Sequence, residues 1–315
     1  MPKASLKAWK MPKVRPPYVA GAFYAGSPEL LREQLEWCFT DRLGPGSLPK
    51  VREEPLEDPV GLVSPHAGYQ YSGPVAAWAF HLLAELGRPE TAVIVGTNHT
   101  GLGPPISIWI EGRWETPLGQ MEIDTELARA IMEAEAKEGE GRGLIGESEA
   151  AFLREHSVEV QLPFLQFLFG GTELEPEARA KTDVRFVPLV CLDQRAEAAS
   201  ALGRALAGAL QQIERSVVLI ASSDFTHYEP HEVACRKDRE AIERILELDL
   251  PGFYEVIRRS RVTICGYGAI AAVMEAARLL ELKETKLLRY ATSGEVTGDL
   301  SGVVGYASIA LQRVR

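Results

Sequence analysis

The sequence predicts an α/β fold, a three-layer α/β/α sandwich around a central mixed sheet whose strands are mostly parallel. Short apolar runs without polar alternation, such as Pro59–Ser64 and Ser216–Ser222, are typical of strands buried on both faces. Segments with helical spacing separate these runs, as the crossover connections of parallel strands require. Two neighbouring β-rich runs near the end of the chain, Leu287–Thr292 and Val303–Leu311, indicate some antiparallel pairing.

The other elements follow in order along the chain. The first helix is predicted to begin at Ser27-Pro28-Glu29, because Ser is a good N-cap, Pro fits the first helical position and an acidic residue suits the helix dipole. Asp124 is predicted to cap a helix that runs to about Lys137. Further strands are predicted at Thr91–Gly96, Pro105–Ile110, Met121–Ile123 and Val184–Cys191. Further helices are predicted at Pro74–Leu86, at Val158–Phe169 with an interruption at Pro163, at Arg195–Ile213, at His231–Leu248, from Asp249 onward, and at Gly268–Leu280. Asp41–Asp58 and Gly139–Glu149, rich in Gly, Pro and charge, are predicted as surface loops.

Length and composition favour one globular domain over residues 1–315, with residues 1–15 as a flexible N-terminal arm. The net charge of −10 disfavours nucleic-acid binding, because an acidic chain repels phosphate backbones. No apolar stretch approaches the roughly 20 residues of a membrane span and no signal peptide is visible, so no membrane is expected and the cytoplasm is the expected location. Four scattered cysteines without a CxxC pair disfavour a structural zinc knuckle and a disulfide framework.

Polar side chains with metal-binding chemistry follow three of the predicted strands. His66, His99 and His227 come directly after apolar runs, and Asp224 lies three residues before His227. In open α/β sheets, ligands bind beyond the carboxyl ends of the strands, so these residues are candidates for one site. Cys265 precedes a predicted helix, where a thiolate is stabilised. Imidazole and thiolate together suit Fe, Cu and Zn, which makes His66, His99 and Cys265 candidate ligands.

Each of these residues also has a purely structural interpretation. A lone His after a strand is commonly a hydrogen-bonded structural residue, and a lone Cys is commonly a small buried hydrophobe. Glu155 and His156 either are loop polar residues beside a helix cap at Ser157 or orient a ligand. Asp224 and His227 are candidates for an acid/base or orienting pair, but no nucleophile motif such as GxSxG accompanies them. No GxGxxG or P-loop spacing occurs, so no nucleotide is expected.

The sequence resembles the Memo family, called AmmeMemoRadiSam system protein B in prokaryotes. The matching stretches run in family order from about residue 15 to residue 312: Ala20–Tyr24, Ser64–Tyr69 with Tyr71-Ser72-Gly73, Gly96–His99, Glu115–Gly119, Glu155–Glu159 with Gln161–Phe164, Ser222–Phe225 with His227-Tyr228, Cys265–Gly268, Thr292-Ser293-Gly294 and Val303–Ala307. The resemblance implies a fold similar to the LigB-like class III extradiol dioxygenases. Those enzymes hold Fe(II) with two histidines and one carboxylate.

By motif, the resemblance implies His66 and His99 as metal ligands, with Cys265 in the place of the carboxylate. It implies His227 as the acid/base, with Asp224 beside it. A thiolate in that place favours Cu or thiolate-ligated Fe and argues against ring cleavage. Mammalian members are regarded as copper- or iron-binding redox proteins and as partners of receptor-derived phosphopeptides. Prokaryotic members resemble a component of a system with a radical SAM protein and an AMMECR1-like protein.

Three functions remain open from the sequence. The first is a metal-dependent oxidoreductase with Fe or Cu at His66, His99 and Cys265, with O₂ or a small molecule at the open positions. The second is a non-catalytic module that binds a peptide or protein in the same cleft, with support from the aromatic residues Phe23, Tyr24, Tyr69 and Tyr71. The third is hydrolysis assisted by zinc. Glu155, His156 and Tyr71 are expected near the ligands or in the pocket in each case.

Overall fold

The computed structural model describes residues 13–138, 143–170 and 183–314. Its strands are short and mostly apolar. In chain order they are β1 (Val14–Arg15), β2 (Val60–Ser64), β3 (Thr91–Thr97), β4 (Ile106–Ile108), β5 (Arg113–Thr116), β6 (Gly119–Glu122), β7 (Ile145–Glu147), β8 (Arg185–Cys191), β9 (Val217–Ser222), β10 (His227–Glu229), β11 (Glu284–Thr292) and β12 (Val303–Gln312).

The helices alternate with the central strands. In chain order they are α1 (Pro28–Thr40), α2 (Tyr69–Leu86), α3 (Thr125–Glu138), α4 (Leu162–Phe169), α5 (Ala196–Gln212), α6 (His231–Leu246), α7 (Leu250–Ser260), α8 (Tyr267–Leu279) and α9 (Gly294–Thr297). The predicted caps hold their helices: the Ser27, Asp124 and Asp249 side chains each accept a hydrogen bond from a backbone N–H of the following first turn. These caps confirm the three predicted helix starts.

The described residues form a mixed nine-stranded sheet and a smaller three-stranded one. The large sheet has the order β10-β12-β2-β9-β3-β8-β4-β7, and β11 also pairs with β12. Its centre, β2-β9-β3-β8, is parallel, whereas β10, β11 and β2 pair with β12 in the antiparallel sense and β4 pairs with β8 likewise. The predicted antiparallel pairing of the last two runs is therefore confirmed. The small sheet, β1-β5-β6, lies outside this order.

Two apolar cores cover the two faces of the large sheet. Along β3, Val93 and Val95 belong to the core that includes α3, α5 and α8, whereas Ala92 and Ile94 belong to the core that includes α1, α2 and α4. Because successive strand residues point to opposite faces, each central strand contributes to both cores. Helices thus flank the sheet on both sides, which confirms the predicted three-layer α/β sandwich.

The start of the described chain is tied to the interior by a buried ion pair. Arg15 is 1% exposed and its guanidinium donates to the Glu159 carboxylate at 2.6 Å, to Phe152 O at 2.9 Å and to Glu155 O at 2.7 Å. It also lies 4.2 Å from the centre of the Trp114 ring. The predicted flexible arm over residues 1–15 is therefore wrong at its end, because Arg15 is buried; residues 1–12 lie outside the described part.

Several element boundaries differ from the prediction for local reasons. Helix α2 begins at Tyr69 rather than at Pro74. A proline in the second turn removes only one backbone hydrogen bond, so the helix can include it. The Ser72 hydroxyl also donates to Ala67 O at 2.9 Å across the first turn. Pro163 does not interrupt a helix but lies in the first turn of α4, after a 3₁₀ turn at Glu159–Gln161. Within the predicted loop Gly139–Glu149, β7 pairs with β4, and residues 139–142 lie outside the described part.

Of the helices in the described ranges, none combines the length and the apolar character that a membrane crossing requires.

Loss of the buried counter-charge should destabilise the fold. We expect Glu159→Gln to lower the free energy of unfolding by about 3–5 kcal/mol, because it leaves the buried Arg15 guanidinium without a carboxylate. Urea unfolding followed by circular dichroism measures this. Glu149→Gln, the same substitution in the exposed Lys13 pair, is the matched control and should change little. If the two substitutions lowered the free energy of unfolding equally, the Arg15–Glu159 ion pair would not have the stabilising role expected of it.

Asp238 should make stability depend on pH. Burial raises the pKa of Asp238 to about 6, against hydrogen bonds from Thr226 and Tyr290, whereas its ordinary value is 3.8. The folded chain therefore binds more protons between these values, and this group's contribution to stability is lost as pH rises through them. Asn has no charge to lose or gain in this range. As the pH rises from about 4 to about 7, we therefore expect the free energy of unfolding of Asp238→Asn to increase by up to about 3 kcal/mol relative to that of wild type. Thermal melts across this range test it, and the exposed Asp183→Asn should show no such trend.

Candidate metal centre

The carboxyl ends of three neighbouring strands place two histidines side by side. Strands β2 and β3 flank β9, and their chains continue into His66 and His99. The two imidazole rings are perpendicular, with centroids 5.4 Å apart. His66 is buried, whereas the His99 side chain is 35% exposed. The strand ends therefore bring together the two histidines that the sequence singled out.

A third imidazole, that of His156, completes a cluster with these two. Its ring stacks on His99 at 4.7 Å between centroids and stands perpendicular to His66 at 5.4 Å. One ring nitrogen of each histidine lies within 4.8 Å of the others. Nitrogens that bind one ion at about 2.1 Å lie about 3.4 Å apart in a tetrahedral site, so a contraction of at most about 1.4 Å would close the cluster on an ion. The three histidines can therefore hold a metal ion.

Cys265 adjoins this cluster from the loop before α8. Its sulfur lies 3.1 Å from His66 Nε2 and accepts from the Asp224 backbone N–H at 3.3 Å. The loop is held from both sides, since Gly266 N donates to the Ser223 hydroxyl and the Gln194 amide donates to Cys265 O. Burial raises the pKa of the Cys265 thiol, so in the metal-free chain it is protonated at neutral pH. A metal would have to displace this proton to gain a thiolate ligand.

Glu155 orients His99 through its buried carboxylate. Glu155 Oε1 accepts from His99 Nδ1 at 3.0 Å, and Oε2 accepts from the His99 backbone N–H at 2.6 Å. Oε1 also accepts from the backbone N–H groups of His156 and Ser157. Burial alone would raise the pKa of Glu155, but the hydrogen bond and charge of His99 lower it to about 2. An ionised carboxylate is acceptor-only, so His99 Nδ1 is protonated and its Nε2 is the nitrogen available to the cluster.

The three histidines differ in their affinity for protons. Burial alone would lower the pKa of His99, but hydrogen bonds with Cys265 and Glu155 raise it to about 9. Burial and the charges of His66 and His99 lower the pKa of His156 to about 3. His156 is therefore neutral at physiological pH and has a lone pair to offer, as a metal ligand requires. His99 would release a proton when it binds a metal.

Asp224 fixes the backbone that carries His66. Its Oδ1 accepts from the His66 N–H at 2.8 Å and from the Ala67 N–H at 3.3 Å. The residue is almost fully buried, yet it also lines the cavity in front of the histidines. Asp224 thus lies beside the cluster, as expected from the sequence. Its Oδ1 holds the backbone of the segment that bears His66.

A cavity of about 570 Å³ opens in front of the cluster. Besides the three histidines, its lining includes Phe23, Tyr71, Asp224 and His227. The His227 imidazole lines the cavity, and its Nδ1 contacts Thr263 O at 2.9 Å. A carbonyl only accepts, so Nδ1 carries a proton, and Nε2 has no hydrogen-bond partner among the residues that the structure describes. Tyr24 and Tyr69 are buried instead, and their hydroxyls bond Glu159 and Val160 O. These two aromatic residues pack in the core and do not line the cavity.

His156 was expected near the ligands or in the pocket, and it lines the cavity. The structure adds that its ring belongs to the histidine cluster itself. The rule that selects residues after strands missed it, because a loop and not a strand precedes it. The only signal in the sequence was its adjacency to Glu155. Ser222, which contacts both His66 and Gln161, was not singled out as a site residue, and neither was Gln161.

Comparisons with known proteins identify the family. The family model described as Memo-like protein matches residues 15–310. A MEMO1 family protein of Methanopyrus kandleri is 46% identical over 95% of this chain and 99% of its own length, and one of Methanothermobacter thermautotrophicus is 46% identical over 94% of this chain and its whole length. The solved structure of the uncharacterized protein JW3007 from Escherichia coli K12 has the same fold, with a TM-score of 0.51, 15% identity, and coverage of 80% of this chain and 99% of its own. The chain belongs to the Memo-like family.

Removal of the Glu155 charge should weaken metal binding. We expect Glu155→Gln to lower the affinity for Co²⁺ about 10–100-fold, because an amide orients His99 less firmly than a carboxylate does. Titration followed by visible absorption measures the affinity. Glu90→Gln, at the opposite ends of the strands, is the matched control and should bind like wild type. An unchanged affinity of Glu155→Gln would show that this carboxylate does not orient a ligand.

Proposed function

We propose that this Memo-like protein binds a single redox-active Fe or Cu ion through His66, His99 and Cys265, with His156 as a fourth donor. The observation that carries the proposal is the meeting of three imidazoles and one thiol at one end of a cavity. One ring nitrogen of each of the three histidines lies within 4.8 Å of the other two, an arrangement that binding of a shared ion would account for.

The chemistry of the donors supports Fe or Cu. Imidazole suits Fe, Cu and Zn, and a thiolate adds preference for the softer ions. Three protein donors would leave the fourth position of a tetrahedral site for a ligand from the cavity, and four would do so where the ion takes five or six ligands. A bound Fe or Cu ion would supply one-electron redox chemistry and a Lewis-acidic position. Zn fits the same donors and would support hydrolysis without redox chemistry.

The residues around the cavity suit the handling of a small molecule. A volume of about 570 Å³ lies within the usual range for small-molecule sites. His227 lines the cavity and its Nε2 has no hydrogen-bond partner among the described residues, so we propose it as the group that accepts a proton from a bound molecule and returns it. Asp224 holds the His66 segment in place and adds negative charge beside the cluster.

Recognition of a peptide or protein at the same cavity is the second candidate function. The observation in its favour is Tyr228, which lines the cavity and is 82% exposed. A non-glycine residue with φ of 59° is uncommon, and such residues concentrate at functional sites. Tyrosine is also enriched at interfaces. In this alternative the metal would be structural or regulatory.

Metal content distinguishes the two candidates. We expect anaerobically purified protein to bind one Fe or Cu ion per chain, and His66→Ala, His99→Ala and Cys265→Ser each to lose it, since each removes a donor. Elemental analysis and equilibrium titration measure this, with His81→Ala, a histidine outside the cavity, as the matched control. His156→Ala should bind more weakly if its ring is a fourth donor. Retention of metal by all the variants would overturn the proposal, and the absence of stoichiometric metal would leave peptide recognition as the better account.

A further inference from the structure

A closed set of hydrogen bonds lies behind His66, on the side away from the cavity. Ser222, the last residue of β9, has three partners around its hydroxyl: Ser157 O at 2.6 Å, Gln161 Nε2 at 2.9 Å and His66 Nδ1 at 3.1 Å. The second amide hydrogen of Gln161 goes to Pro65 O at 2.9 Å. All these side chains are at most 2% exposed, so water does not compete for the bonds.

The direction of each bond follows from the number of protons available. Ser157 O is a carbonyl and only accepts, so the single Ser222 hydroxyl proton goes to it. Pro65 O also only accepts, so the NH₂ group of Gln161 faces Pro65 and Ser222. The Ser222 oxygen has then used its proton and must accept from both Gln161 and His66. His66 Nδ1 is therefore the protonated nitrogen.

In the described part of the molecule, the orientation of the Gln161 amide leaves one buried oxygen without a hydrogen bond, which destabilises the folded chain. Gln161 Oε1 is buried and has no hydrogen-bond partner among the residues that the structure describes. An unpaired buried acceptor destabilises the folded chain, and a glutamine in the opposite orientation would place its oxygen against Pro65 O instead. The unpaired oxygen is thus the consequence of an amide orientation in which Gln161 donates to both Pro65 O and Ser222.

We propose that Ser222, oriented by Gln161, is a positioning residue that fixes His66 as the Nδ1–H tautomer. The lone pair of His66 is then on Nε2, which faces the Cys265 sulfur at 3.1 Å. In the metal-free chain the Cys265 thiol donates to this lone pair. That this lone pair binds a metal rests on the proposed function. The assignment of the tautomer does not.

Nδ1 thus carries a proton in both His66 and His99, but the two rings have different partners. A neutral hydroxyl accepts from His66 Nδ1, whereas the Glu155 carboxylate accepts from His99 Nδ1. A carboxylate partner makes an imidazole more basic, and a hydroxyl does so less. The centre therefore combines one strongly and one weakly polarised imidazole, and Ser222 determines which nitrogen the weaker one offers.

Histidine-selective ¹⁵N NMR of the metal-free protein tests the tautomer directly. The His66 signals are assigned by their loss in His66→Gln. We expect Nδ1–H in wild type, a shift of the tautomer ratio of roughly tenfold toward Nε2–H in Ser222→Ala, and restoration in Ser222→Thr, which keeps a hydroxyl. Ser64→Ala is the matched control, because Ser64 pairs with Ser222 in adjacent strands and its buried hydroxyl has no partner in the described structure.

An Nε2–H tautomer of His66 in wild type would overturn the proposal, even if Ser222→Ala did not fold. An unchanged ratio in folded Ser222→Ala would overturn it equally. In a second arm, Co²⁺ affinity should fall about 10–100-fold in Ser222→Ala and recover in Ser222→Thr. If no variant and no wild-type protein bound metal, the proposed function would fail, while the NMR result would still decide the role of Ser222.

Discussion

Parallel pairing of β2, β9 and β3 is the constraint on which the candidate metal centre depends. Ser64 pairs with Ser222 at the ends of β2 and β9, and β3 ends beside them at Thr97. The chain leaves all three strands at the same edge of the sheet, so His66 and His99 emerge close together. A slip of one residue in any of these strands would turn its side chains to the opposite face and separate the donors.

Buried side chains, rather than regular secondary structure, hold the segments beyond the strands. Irregular backbone in the interior must find partners for its N–H groups. Asp224 supplies them for His66, Glu155 for His99 and His156, and Glu159 for Tyr18 and Val19. Each carboxylate thus binds a segment that bears a candidate ligand or supports one. The loops that build the centre therefore have side-chain partners for these backbone N–H groups.

The Arg15–Glu159 ion pair connects this edge to the start of the described chain. Arg15 donates both to Glu159 and to Glu155 O, and Glu155 orients His99. The first strand is thus joined to the cluster through two consecutive contacts. The sequence predicted a flexible arm over residues 1–15, since nothing local indicates that Arg15 is buried. Only its partner 144 residues later in the sequence decides that.

Apolar runs, caps and turn residues in the sequence determined the fold class and most of the elements, because these signals are local. They also placed His66, His99 and Asp224 at the carboxyl edge of a parallel sheet, since that edge follows from strand order alone. Short strands such as β7 and β10 could not be predicted from the sequence, because their pairing depends on strands that are distant along the chain. Cys265 was a candidate ligand beside His66 from the sequence, and the structure places the two in contact across 199 residues. The tertiary structure alone decided that His156 enters the cluster and that Ser222 faces His66 Nδ1. The reason is physical: these contacts arise from the packing of loops between helices and the sheet, and no periodicity in the sequence encodes such packing.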